Sequence, residues 1–144
     1  MLDIEEKLTK IKDILETYKT EAIENMTVND IEYENNFNRQ WLSMNWLNRS
    51  VDWKEKVNAA ESLLSKAKSE ALNKYLTEAL YNITDKQVTI KTDADDIVQA
   101  YKKQYEAVKT VYDYCVKMQE MLRNQSFEIK SRFDYQRYIN GLDK

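Results

Sequence analysis

Proline is absent from this 144-residue chain, and its single glycine, Gly141, stands close to the C-terminal end. Nothing before that point carries the two residue types that most readily break a helix. The backbone can therefore run helical for long stretches, and the plentiful Leu, Glu, Lys, Gln and Met favour that state. Charged residues make up 33% and hydrophobic ones 42% of the sequence, with a mean hydropathy of −0.76. That balance suits helices with one buried face and one heavily solvated face. We expect an all-α fold of long antiparallel helices, forming a single helical domain over 1–144. So thin a chain would bury much of its apolar surface against copies of itself.

Apolar spacing places the helices. Ile4, Leu8, Ile11, Leu15, Tyr18 and Ala22 step by alternating fours and threes, predicting an amphipathic helix over 2–25. Residues 25–30 read as a break, where Thr27, Asn29 or Asp30 could cap the next helix. A second helical segment is expected over 30–81, with a bend near Asn48-Arg49-Ser50 and a restart capped by Ser50. Its seam is Trp53, Val57, Ala60, Leu64, Ala67, Ala71 and Tyr75, long enough to require a partner helix of similar length. Residues 82–92 look non-helical, because Val88-Thr89-Ile90-Lys91 alternates β-branched with polar side chains. This connection is expected to be irregular, either a short strand or an extended loop.

Thr92 or Asp93 should then cap a third long helix whose first turn holds Asp93, Asp95 and Asp96, favourably placed against the positive end of the dipole. Its seam is Val98, Tyr101, Tyr105, Val108, Tyr112, Cys115, Gln119 and Leu122. A last helix is expected from Ser126 to about Asn140, stopped by Gly141 in the left-handed conformation. The segment 93–141 is thus read as C-terminal helices for assembly.

Several function classes fall away on composition. No histidine is present, which removes Ser-His and Cys-His nucleophile pairs, imidazole metal ligation and Glu-x-x-His di-metal sites. One glycine permits neither a P-loop nor a dinucleotide fingerprint. The carboxylate pairs Glu5-Glu6 and Asp95-Asp96 sit in expected helix first turns and serve the dipole. We expect no enzyme, no cofactor and no metal. The lone Cys115 can form no intrachain disulfide and reads as a small buried hydrophobe. No signal-peptide pattern opens the sequence and no apolar run approaches the ~20 residues that span a bilayer. The expectation is a cytoplasmic protein with no membrane contact.

The net charge of −3 argues against a nucleic-acid binder, but the charge is unevenly spread. Residues 1–30 hold four lysines against eight acids, whereas 49–91 hold eight basic residues against six acids and 123–144 five against three. The acidic arm is expected to lie away from any DNA path or to face a basic partner. The chief basic set, Lys54, Lys56, Lys66, Lys68 and Lys74, does not form one row on an ideal helix. Lys56 and Lys74 flank the Trp53–Tyr75 stripe on one side, Lys54 and Lys68 on the other, and Lys66 stands apart. The set reads either as a solvated face with snorkelling stems or as a phosphate-binding surface.

Two other groups of residues stand out. Trp41, Trp46 and Trp53, with Phe37, are either stacking platforms for single-stranded bases or packing residues. Phe37, Trp41 and Met44 share one helical face, which favours packing in the core or at a subunit interface. Arg123, Lys130 and Arg137 recur every seven residues beside Phe127, Phe133 and Tyr138. They form a second basic strip or the polar edge of an assembly seam.

The C-terminal third carries a resemblance. Tyr112-Asp113-Tyr114-Cys115, Met118 to Leu122, Ser126-Phe127-Glu128-Ile129-Lys130, Asp134, Arg137-Tyr138 and Gly141 are similar to the end of UvsY-type recombination mediator proteins of T-even-like bacteriophages. Asn35-Asn36 and Trp46-Leu47-Asn48 are also family-like, so the resemblance covers roughly 30–144. It implies a ring-like homo-oligomer with tail segments packed between subunits. The apolar seam and the aromatic tail lead us to expect Tyr112, Cys115, Leu122, Phe127, Phe133 and Tyr138 in assembly. The resemblance also implies a non-enzymatic protein that binds single-stranded DNA and loads a RecA-like recombinase onto DNA covered by single-strand DNA-binding protein, acting in DNA recombination and repair in the host cell cytoplasm. Members of that family are believed to hold DNA through a Lys-x-Arg pair on the corresponding helix. An ungapped alignment ending at Leu72 and Tyr75 puts Ser69 and Ala71 there. A small shift brings Lys66-Ala67-Lys68 into place, with Lys for Arg. From composition alone, a helical scaffold or structural assembly protein without DNA binding is the other reading.

Overall fold

The computed structural model describes residues 2–27, 33–78 and 84–141, with the backbone alone described at residue 2 and over 33–37. These residues form four helices and no strand: α1 (Leu2–Met26), α2 (Tyr33–Glu78), α3 (Asp85–Ala94) and α4 (Asp96–Ile139). The chain divides into two compact units, Met1–Ile14 with Trp53–Val111 and Leu15–Asp52 with Tyr112–Lys144. The first draws its core mainly from the predicted stripes, whereas the second adds Trp46, Met118, Ser126 and Ile129, which lie outside them.

In the first unit, Trp53, Val57, Ala60, Leu64, Ala67 and Ala71 are all buried. Leu64, Ala67 and Ala71 pack with Val98 of α4, and Tyr75, Tyr101 and Tyr105 lean against that cluster. The alanines let the two backbones approach closely, and the tyrosine rings close the edges. Late in α2, Tyr75 donates its hydroxyl hydrogen to Asp95 Oδ2 at 2.9 Å, at the head of α4, so the two helices run antiparallel here.

Three expected interruptions are absent. Residues 85–92 are helical rather than a strand or loop, because Thr84 opens α3 with a capping box. Its hydroxyl accepts from Gln87 N at 3.3 Å, and the Gln87 side chain accepts from Thr84 N at 3.2 Å. Val88 and Thr92, four apart, then bury one face of α3. The remaining residues expected in that connection, 82–83, lie outside the described residues. The cap of α4 is Asp95 rather than Thr92 or Asp93: Oδ1 accepts from Ile97 N at 3.0 Å and Val98 N at 3.3 Å. Its own N–H closes α3 on Thr92 O at 3.3 Å. One extended residue therefore ends one helix and begins the next.

Helix α2 passes through Ser50 without a restart, the Ser50 hydroxyl donating to Leu47 O at 2.6 Å. Likewise α4 is continuous through Ser126, so no separate last helix forms. Its terminus is as expected, with Gly141 at φ 71° and its N–H on Tyr138 O at 3.1 Å. Thr27 turns its hydroxyl back to Ile23 O at 2.8 Å, while Asn29 and Asp30 lie outside the described residues.

The second unit is built around Trp46, 1% exposed. Tyr18 of α1 and Tyr114 of α4 meet its ring edge-on, at centroid distances of 5.5 and 6.1 Å. The Arg49 guanidinium lies 4.7 Å from the Tyr18 ring and 4.6 Å from Trp46, and pairs with Glu21 at 2.8 Å. Burial opposes the Arg49 charge, but the hydrogen bond and attraction from Glu21 outweigh it and raise the pKa. Ser43 donates to Gln119 O at 3.0 Å, and Gln125 to Met26 O at 3.2 Å near the end of α1. The α4 stripe here is Cys115, Met118, Leu122, Ser126 and Ile129, all buried. Burial pushes the Cys115 thiol up to about 11, the nearby Arg49 charge only partly offsetting it. So protonated a thiol is a packing group.

Candidate nucleic-acid and assembly surfaces

All five lysines of the basic set are exposed on α2 in the first unit. They stand on one continuous helix but not together. Lys56 and Lys74 share a flank, their Cα atoms roughly 27 Å apart along the axis. Each spreads over an aromatic ring of the buried stripe: Lys56 Nζ lies 4.1 Å from the Trp53 centroid and Lys74 Nζ 5.3 Å from that of Tyr75. Lys54 and Lys68 occupy the opposite flank, and Lys66 points between the two. The helix offers phosphates spaced charges rather than a pocket. Asp95, just off the end of this row, has its pKa lowered chiefly by the Tyr75 hydrogen bond, and the same bond raises that of Tyr75.

The structure brings together residues the spacing did not link. Lys7 and Lys10 of α1 lie around the same groove as Lys56, although the arm that carries them is acidic as a whole. Their separation by three residues, followed by Ile11 and Ile14 on the same flank, was the available signal.

The tryptophans separate by role. Trp46 and Trp53 are 1% and 3% exposed, whereas Trp41 and Met44 are each 58% exposed. Of the three, Trp41 alone has a ring face accessible to a base or a second subunit. The Phe37 side chain lies outside the described residues. Leu47 and Val51 continue the exposed Trp41–Met44 strip along α2. Beside it, Met44, Leu47, Arg123 and Phe127 line a cavity of about 370 Å³, with Arg123 5.7 Å above the Phe127 ring.

The residues expected to mediate assembly also divide. Cys115 and Leu122 are fully buried by the chain's own packing, Tyr112 and Phe133 are half-buried, and Phe127 and Tyr138 are exposed. Tyr135 and Ile139 add exposed apolar surface to the same tail. Among the described residues no helix is long and apolar enough to cross a membrane. No protein-family model, curated protein or solved structure matches the chain.

Proposed function

We propose that this protein is a non-enzymatic recombination mediator. It binds single-stranded DNA and helps load a RecA-like recombinase onto DNA covered by single-strand DNA-binding protein. The observation that carries this reading is the exposed set Lys54, Lys56, Lys66, Lys68 and Lys74 on one uninterrupted helix. It lies in the region where the resemblance to UvsY-type mediators puts DNA contacts. Spaced lysines without base-reading geometry suit phosphate binding by counterion release, indifferent to sequence and sensitive to salt. Repetition of this weak surface around a ring-like homo-oligomer supplies avidity, and the exposed Phe127, Tyr135 and Tyr138 of the α4 tail suit packing between subunits.

A second reading, a helical scaffold without DNA binding, draws support from the exposed Trp41–Val51 strip, which needs only self-association to be covered. Fluorescence titration with oligo-dT at low and moderate salt separates the two. The mediator reading requires saturable binding that weakens as salt rises. Absence of binding at low salt by an assembled protein leaves the scaffold.

A further inference from the structure

Three helices of the first unit enclose a groove whose apolar floor neither the DNA surface nor the assembly strip uses, although Lys56 of the DNA set stands at its rim. Ile11 and Ile14 of α1, Ala60 and Leu63 of α2 and Val108 of α4 make an apolar floor around about 280 Å³. Lys7, Lys10 and Lys56 border it, and none of the residues lining it is acidic. The Lys56 ammonium is steadied 4.1 Å from the centroid of Trp53. Lys10 approaches Glu6 at 3.6 Å, with both side chains about two-thirds or more exposed, so the pair is weakly held and Lys10 can exchange it for another carboxylate. In a chain of net charge −3, this is a local concentration of positive charge over aliphatic surface.

We propose that this groove docks an acidic amphipathic peptide segment of a partner protein, its apolar side chains on the floor and its carboxylates against Lys7, Lys10 and Lys56. Charge complementarity selects the acid. The floor selects an apolar side chain over a nucleobase: its walls are aliphatic, while Trp53 is 3% exposed with Lys56 over its ring. Its volume is just below the ~300–1,000 Å³ of small-molecule sites, a size suited to anchoring side chains. The inference shares Lys56 with the DNA-binding reading but does not depend on it, since Lys7, Lys10, Ile11 and Leu63 lie outside the proposed DNA set.

The test uses the full-length protein and fluorescence anisotropy. The probe is a short fluorescein-labelled peptide in which Leu and Phe alternate with Asp and Glu; the control replaces Leu and Phe with Ser. The control should bind at least about tenfold more weakly. Leu63→Glu and the pair Lys7→Glu with Lys10→Glu should each weaken the Leu/Phe peptide by about tenfold or more. Leu63 is 40% exposed and both lysines are exposed, so circular dichroism and elution volume should be unchanged. Equal binding of the Ser control would overturn the proposal, as would unaltered peptide affinity in either folded variant. If labelled oligo-dT loses as much affinity as the peptide on Leu63→Glu, the groove is a nucleic-acid site and the proposal fails.

Discussion

Trp41 and Trp46, five positions apart on α2, show how far a residue's consequences depend on which side of a helix it occupies. Trp46 fills the second unit's core, so Trp46→Ala should destabilise by about 3–5 kcal/mol. Trp41→Ala should shift the urea midpoint by no more than about 0.5 kcal/mol in free energy while reducing assembled size. A large stability loss at Trp41 would contradict its exposure, and a DNA-affinity loss of about 1–3 kcal/mol without a size change would make it a base-stacking platform. Asp95 has a pH signature. Its folded pKa is lowered, first by the Tyr75 hydrogen bond, so its stabilisation is complete above the ordinary carboxylate value of about 3.9 and is lost as pH falls through the lowered one. Asp95→Ala removes the cap of α4 as well and should cost about 1–2 kcal/mol at neutral pH. That gap from the unaltered protein should narrow as pH falls below the ordinary carboxylate value. A gap independent of pH would show that the carboxylate's charge is irrelevant there.

Among the helices, α2 carries the proposed DNA surface. Replacing Lys66, Lys68 and Lys74 with Ala should weaken oligo-dT binding at low salt. It should also flatten the slope of log K against log salt by about 0.7 for each phosphate that is no longer neutralised, with helicity and size unchanged. An unchanged slope would move the site, with Arg123, Lys130 and Arg137 the next candidates. The role of the acidic arm cannot be tested by deleting 1–25, because Tyr18 packs on Trp46, Glu21 holds Arg49 and Ala22 is 4% exposed. Removal would open the second unit's core, so substitutions of exposed arm residues are the sound probe.

The proposed assembly belongs to the molecule as a whole, and the apolar surface open to it is narrower than the α4 seam suggests. The long stripes of α2 and α4 find partners inside each unit, and the exposed apolar side chains of the second unit include Phe127, Tyr135, Tyr138 and Ile139 of the tail and the Trp41–Val51 strip. Phe127→Glu, at a 56% exposed position, should reduce oligomer size by light scattering while leaving thermal unfolding of the subunit nearly unchanged, since it places a charge in a surface that must desolvate. Assembly at full size by this variant would clear Phe127 of the interface. Truncation after Leu122 is a harsher test, because it also strips the buried Ser126 and Ile129.

Helix type, the buried stripe of α2 and the Gly141 stop were legible in the residues because each follows from local chemistry: periodicity decides which side chains share a face, and φ > 0 favours glycine. The α4 seam was legible only in part, since Val111, Met118, Ser126 and Ile129 are buried while Tyr112 and Gln119 are half-buried. The box Thr84-x-x-Gln87 was equally local, but alternating β-branched residues masked it. Their strand preference yields once Val88 and Thr92 bury a common helical face. Spacing could not say whether a seam is filled by the chain itself or by another copy, nor which of two tryptophans five apart lies inside. It also could not bring Lys7 and Lys10 to Lys56 across more than forty residues. Those outcomes depend on which helices lie side by side, and that is decided by the best joint burial of several stripes rather than by any one of them.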